Sequence, residues 1–99
     1  MKFNIVNAKK VESDILNIVE YYKDISPKLA KEFISRMKEA RVYILNSPFS
    51  FQIKYKNVRT VLLKQFPYRI HYLVNEEKEQ IVILAVIHSY RNPQNYSKR

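Results

Sequence analysis

The stretch that decides the fold is Ile81–Ile87 (IVILAVI), seven apolar residues in a row that are followed by His88 and, three residues later, by Arg91. A strand without polar residues needs cover on both faces, so this stretch predicts an interior strand. Tyr68–Val74 alternates in character as a half-buried strand does, and Asn75–Glu79 is short enough to turn a hairpin between the two. The second half of the chain therefore predicts an antiparallel sheet.

The first half predicts one short strand and two helices. Lys2–Val6 alternates polar and apolar residues, and Asn7 is expected to cap the helix that follows. Two further segments carry apolar residues at helical spacing, and Ser26-Pro27 between them suits a helix start because proline lacks the amide that would be unpaired there. Asn46-Ser47-Pro48 is expected to end the second helix.

These elements predict an α+β fold of the order β-α-α-β-β-β, with an N-terminal strand and a helical hairpin packed on a small antiparallel sheet. The chain of 99 residues is expected to form a single domain, 1–99. A further short strand is compatible with the aromatic and basic connector between Pro48 and Asn57.

Composition excludes several classes of site. The chain contains no cysteine and no glycine, which argues against disulfides, thiolate metal sites and glycine-rich phosphate loops. His71 and His88 are the two histidines and have no neighbouring acid, so neither a metal nor another cofactor is expected. The apolar run is too short to span a membrane, and the sequence lacks a signal-peptide pattern, so a cytoplasmic protein is predicted.

The net charge of +9 favours an acidic or polyanionic partner, although a solvated basic surface would have the same composition. Five of the 18 lysine and arginine residues lie in the segment 51–75, which has no acidic residue: Lys54, Lys56, Arg59, Lys64 and Arg69.

Four segments in this order resemble the RelE/ParE toxin superfamily: Tyr21–Ala30 (YYKDISPKLA), Val58-Arg59, Phe66–Tyr72 (FPYRIHY) and Ile83–Pro93 (ILAVIHSYRNP). The resemblance covers nearly the whole chain. It is closest to the ParE-like branch, the plasmid stabilisation toxins, because His88 and Arg91-Asn92-Pro93 match that branch's closing pattern. Ser89 and Tyr96 depart from it, since a glycine and a tryptophan are common at these positions.

The resemblance implies the toxin of a bacterial type II toxin–antitoxin system. A ParE-like member is expected to inhibit DNA gyrase by binding, without being an enzyme, and to be neutralised by a cognate antitoxin protein. The alternative is a RelE-like mRNA interferase, a metal-free endoribonuclease whose partners are the ribosome and translated mRNA. A third alternative is a decayed, non-toxic member that only binds an antitoxin. A homodimer and a toxin–antitoxin hetero-oligomer are both compatible with this family.

The residues predicted to bind the target or the antitoxin form a cationic surface on an exposed sheet face and strand end, with one aromatic residue in the tail: Arg59, Lys64, Arg69, His88, Arg91 and Tyr96. If the chain is a nuclease, His88 or His71 would transfer protons and the cations, Arg59, Lys64, Arg69 and Arg91, would stabilise charge on the phosphate. Structural alternatives stand beside these roles. His88 could bond a carbonyl at the strand end, Arg91 could form a salt bridge that fixes the tail, and His71 is better explained as a sheet-face residue.

Overall fold

Two helices and five strands form the α+β fold that the sequence predicts. The computed structural model describes residues 2–89. In chain order the elements are β1 (Asn4–Asn7), α1 (Val11–Ile25), α2 (Pro27–Asn46), β2 (Ile53–Tyr55), β3 (Val58–Leu62), β4 (Tyr68–Asn75) and β5 (Gln80–His88).

The strands form one sheet in the order β1-β5-β4-β3-β2. The three junctions from β5 to β2 are antiparallel, as predicted, whereas β1 lies parallel to β5 along the other side of that strand. The connector contributes the short strand β2, so four strands rather than three follow the helices. The predicted fold class is confirmed, with β1 and β2 as the two edges of the sheet.

Strand β5 is an interior strand because both of its neighbours, β1 and β4, are hydrogen-bonded to it. Its side chains are buried on both faces, as the run of apolar residues predicts; Ile81, Ile83 and Ala85 have no exposed surface. The register with β4 shifts between His71 and Tyr72, so Leu84 is an extra residue on β5. Such a β-bulge locally changes the twist of the strand and disrupts its ladder.

The helical hairpin is made as the sequence predicts, but its first cap is different. Ser26 separates the two helices in an extended conformation, and Pro27 is the first residue of α2. The prediction that Asn7 caps α1 is wrong, because the helix begins later, at Val11, and Lys10 is its N-cap residue. Asn7 instead ends β1, and its Oδ1 accepts a hydrogen bond from Arg41 of α2 at 3.0 Å.

The core lies between the hairpin and one face of the sheet. Phe33, Met37 and Ile44 lie on the inner face of α2, where i, i+4 and i+11 spacing brings side chains to one side. They join a cluster with Ile70 and Tyr72 of β4. Full burial of such side chains stabilises the fold by roughly 1.5–3 kcal/mol each. Among residues 2–89, no helix is long and apolar enough to cross a membrane.

Candidate functional site

His88 lies at the end of β5 and forms part of a cluster of rings, which we call the strand-end cluster: Tyr22, Phe33, Phe66, Tyr68 and His88. The His88 ring meets the Tyr68 ring edge to face with 5.5 Å between centroids, and the Tyr22 ring lies 6.3 Å from that of Tyr68. Pairing of Tyr68 with His88 brings the two side chains to the same face of the sheet. The backbone amide of Ser89 donates to the Pro67 carbonyl at 2.8 Å, which holds the strand end in place.

The deeper part of the strand-end cluster is hydrophobic, and its outer part is polar. Phe33 and Phe66 are buried, whereas Tyr22, Tyr68 and His88 are half-buried. Burial raises the pKa of Tyr22, and the neighbouring hydroxyls of Tyr68 and Tyr21 raise it further. Tyr22 therefore keeps its proton at physiological pH and can donate a hydrogen bond in the outer part of the cluster.

Arg59 does not lie on the sheet face where the sequence led us to expect it. It pairs with Tyr72, whose side chain belongs to the core beneath the helices, so Arg59 faces the helical side. Its Nη1 donates to the carbonyls of Phe49 at 3.1 Å and Phe51 at 2.6 Å, and its guanidinium lies 5.4 Å from the centre of the Phe49 ring. These contacts tie the α2–β2 connector to β3.

Arg69 and His71 lie on the other face of the sheet. Arg69 donates to Thr60 Oγ1 at 3.4 Å, and Tyr55 Oη lies 3.2 Å from Nδ1 of His71. His71 is only 3% exposed, and desolvation, reinforced by the Arg69 charge, lowers its pKa to about 4. A buried, neutral His71 is a structural residue of the sheet, as its alternation with Arg69 suggests.

The face that carries Arg69 is not the open surface that the sequence led us to expect. Thr60, His71 and Ala85 on this face are buried, while Leu62 is half-exposed and Arg69 half-buried. Arg69 therefore lies beside Leu62, its partner across β3 and β4, and not within a continuous field of exposed cations.

Lys64 belongs to the loop between β3 and β4, which is attached to α2 by polar contacts. Its Nζ lies 3.8 Å from Glu39 Oε1 and 5.7 Å from the centre of the Tyr43 ring. Arg36 donates to Glu39 and to Gln65, both at 3.2 Å. Gln65 has φ of 75°, a left-handed conformation that costs a non-glycine residue free energy, so these contacts hold the loop in an otherwise unfavourable shape.

Next to this loop lies an open groove of about 480 Å³ with a mixed polar lining: Lys28, Lys31, Glu32, Ser35, Arg36 and Gln65. Gln65 donates to Glu32, so the network that anchors the loop also closes one side of the groove. Among residues 2–89, no group of three or more histidine, cysteine, aspartate or glutamate side chains could hold a metal ion.

The predicted site residues are thus divided among four places. His88 lies in the strand-end cluster, Arg59 and Arg69 lie on opposite faces of the sheet, and Lys64 packs on α2. Arg91 and Tyr96 lie outside the described residues, so their predicted roles remain predictions.

Tyr68 is a ring neighbour of His88 that sequence reasoning did not identify, and Tyr22 in turn contacts Tyr68. The alternation of β4 placed Tyr68 on the core face, but only the pairing of β4 with β5 brings it to His88.

The structure is similar to one titled chromosomal ParDE toxin–antitoxin system from P. aeruginosa, with a TM-score of 0.75, 19% identity and coverage of 88% of this chain and 96% of that one. It is also similar to the toxin–antitoxin complex RelBE2 from Mycobacterium tuberculosis, with a TM-score of 0.56, 14% identity and coverage of 89% and 99%. A mutant of the E. coli toxin RelE in the free state matches with a TM-score of 0.60, 15% identity and coverage of 91% and 86%.

At these identities the similar structures establish the fold alone. The family is established by the sequence, because residues 5–93 match the family model described as ParE toxin of type II toxin-antitoxin system, parDE. The chain belongs to this family of toxins, and the resemblance seen in its sequence is confirmed. A search of curated proteins found no match to the chain.

Proposed function

We propose that this chain is a toxin that inhibits DNA gyrase by binding and is neutralised by a cognate antitoxin in the cytoplasm. Membership of the ParE toxin family is the observation that carries the proposal. ParE-like members act on gyrase, whereas RelE-like members cleave mRNA on the ribosome, and it is the ParE model that the sequence matches.

The positions of the candidate nuclease residues also favour binding over RNA cleavage. Metal-free cleavage needs a base and cations that surround the same phosphate. Here Arg59 and Arg69 lie on opposite faces of the sheet, and His71 is buried. Among the candidates that the structure describes, His88 alone combines a partly accessible imidazole with a position at a strand end.

The antitoxin is expected to be acidic where it contacts this chain. The net charge of +9 favours such a partner, and two of the similar structures are titled as a ParDE system and a RelBE2 complex. Charge complementarity of this kind speeds association and sets the register of the complex more than it adds affinity.

The test of the target begins with cells in which the chain is induced without an antitoxin. Incorporation of labelled thymidine and labelled methionine is followed over the first minutes. A gyrase inhibitor should stop thymidine incorporation first, and the purified chain should inhibit supercoiling by purified gyrase in proportion to its concentration. If methionine incorporation stops first and translated messages acquire new ends, the mRNA interferase alternative replaces this proposal.

The site is tested with the double variant His88→Ala, Arg91→Ala. It should lose inhibition of gyrase by at least about tenfold while keeping the circular dichroism spectrum of the parent chain. Lys9→Ala, Lys10→Ala serves as the control, because these exposed lysines precede α1 and their removal lowers the net charge without touching the strand end. If both variants lose activity equally, net charge rather than this site accounts for the effect. A harmless parent chain that still binds an antitoxin would support the decayed-member alternative.

A further inference from the structure

Strand β5 changes its surroundings halfway along its length. Over its first half it has a strand on each side, because β1 pairs with it from Gln80 to Ile83. Asn7 is the last residue of β1 and lies opposite Ile83, and the Ala8 amide donates the final backbone bond to the Ile83 carbonyl at 2.8 Å. Beyond Ile83, no strand among residues 2–89 continues β1, and α1, which packs against β5, reaches its backbone there through Asp14.

The change coincides with the β-bulge. Leu84 is the extra residue. From Ala85 onward, the register of β5 with β4 is shifted by one residue relative to the first half of the strand. Because of the extra residue, Val86 and His88 lie on the same face as Tyr68 and Ile70. In an uninterrupted alternation from Ile83 they would lie on the opposite face. The bulge therefore determines which side of the sheet carries His88.

One side chain from α1 contacts the backbone at this point. Oδ2 of Asp14 accepts a hydrogen bond from the Val86 amide at 3.3 Å, across 72 positions of the sequence. Asp14 is half-buried, and it lies close to the N-terminus of α1, where the helix dipole favours a negative charge. A carboxylate thus binds the backbone of β5 two residues after the bulge and two residues before His88.

We infer that Asp14 is a positioning residue that fixes the bulged end of β5 and so holds His88 against Tyr68. The effect of the Asp14–Val86 hydrogen bond on gyrase inhibition rests on the proposed role of His88. Its effect on the position of the His88 ring does not depend on that role. The carboxylate substitutes for a strand partner beyond the end of β1, and a charged acceptor binds a backbone amide more strongly than a neutral one.

The experiment compares Asp14→Ala, Asp14→Asn and the control Glu12→Ala by NMR in the full chain. Glu12 is the other acidic residue in the first turn of α1, so its removal reproduces the loss of charge at the helix start. Asp14→Ala should raise the hydrogen-exchange rate of the Val86 amide about tenfold and weaken the cross-peaks between the His88 and Tyr68 rings. Asp14→Asn keeps an acceptor and should preserve those cross-peaks, and Glu12→Ala should leave both measurements unchanged.

A merely structural Asp14 gives a different result. If Asp14→Ala lowers the melting temperature but leaves the cross-peaks between His88 and Tyr68 intact, the inference is overturned. It is also overturned if Glu12→Ala disturbs Val86 as much as Asp14→Ala does. If Asp14→Ala fails to fold, the folded Asp14→Asn variant is used, because it lacks the charge and is a weaker acceptor. Exchange of the Val86 amide that is faster than in the parent chain supports the contact, and unchanged exchange overturns the inference.

Inhibition of gyrase separates this inference from the proposed function. If His88→Ala stays fully active while Asp14→Ala releases the His88 ring, the functional site is wrong and the positioning role stands. If His88→Ala is inactive while Asp14→Ala keeps the ring contact, the proposed site stands and the positioning role fails.

Discussion

Acidification should destabilise this protein through one buried imidazole. His71 is neutral in the folded state because burial, helped by the charge of Arg69, lowers its pKa from 6.5 to about 4. In the unfolded chain the imidazole regains its usual pKa near 6.5. Between these two values the unfolded state binds more protons than the folded state, so stability falls as the pH falls.

The size of the effect follows from the two pKa values. The whole difference corresponds to about 3 kcal/mol of unfolding free energy. Relative to pH 7, about 2 kcal/mol should be lost by pH 5 and about 3 kcal/mol by pH 4. This is a large fraction of the unfolding free energy of a small domain, which is typically about 5–15 kcal/mol.

The assay is urea unfolding at pH 7, 6, 5 and 4, applied to the parent chain and to His71→Asn. The side-chain amide of asparagine can occupy the position of Nδ1 and keep a hydrogen bond with the Tyr55 hydroxyl, but it does not titrate in this range. The smaller side chain should lower the unfolding free energy equally at every pH, and carboxylates affect both proteins alike. The difference between the two proteins in how the unfolding free energy changes with pH therefore reports His71. Equal slopes for the parent and His71→Asn would refute the reasoning.

Three further predictions concern single residues, two through their contacts and one through its backbone conformation. Tyr72→Phe removes the hydrogen bond to the Pro48 carbonyl, 2.7 Å long, and should cost about 1 kcal/mol in urea unfolding. Burial raises the pKa of Tyr72 to about 12, against a smaller lowering by Arg59. The parent should therefore also lose stability above pH 10, and the variant should lose less. Arg59→Lys should destabilise by about 2 kcal/mol, since one ammonium cannot replace the two carbonyl contacts and the Phe49 contact, whereas Arg69→Lys, a control with one long hydrogen bond, should change stability little. Glu79→Gly should raise the melting temperature and add about 1 kcal/mol because φ is 52° there, while Glu77→Gly, whose φ is negative, should lower it.

The sequence was sufficient for the elements whose causes are local. The apolar run Ile81–Ile87 predicted an interior strand, and Ser26-Pro27 predicted the break between the helices, because the burial of an apolar run and the missing amide of a proline act within a few residues. The parallel pairing of β1 was not predictable in this way. It depends on where the chain returns after two helices and three strands, and four residues of β1 give no signal for it.

The site was harder to predict because it depends on which face each residue occupies. Arg59 and Arg69 both looked like surface cations, yet cross-strand pairing turns Arg59 toward the helices, where nearby carbonyls bind it. The bulge at Leu84 decides the side on which His88 lies, and nothing in an unbroken apolar run marks one residue as extra. Asp14 could not be linked to Val86 without the tertiary structure.

The parallel pairing of β1 with β5 affects how the protein is made. The first strand emerges from the ribosome early, but its partner, Gln80–Ile83, is synthesised only after nearly all the rest of the domain. Until then β1 has no strand beside it, and the last long-range contact closes a loop that includes both helices and three strands. Translation stopped before β5 would leave the sheet without an interior strand and without His88. A sheet built in this way gains its interior strand only after both helices and the other four strands have been synthesised.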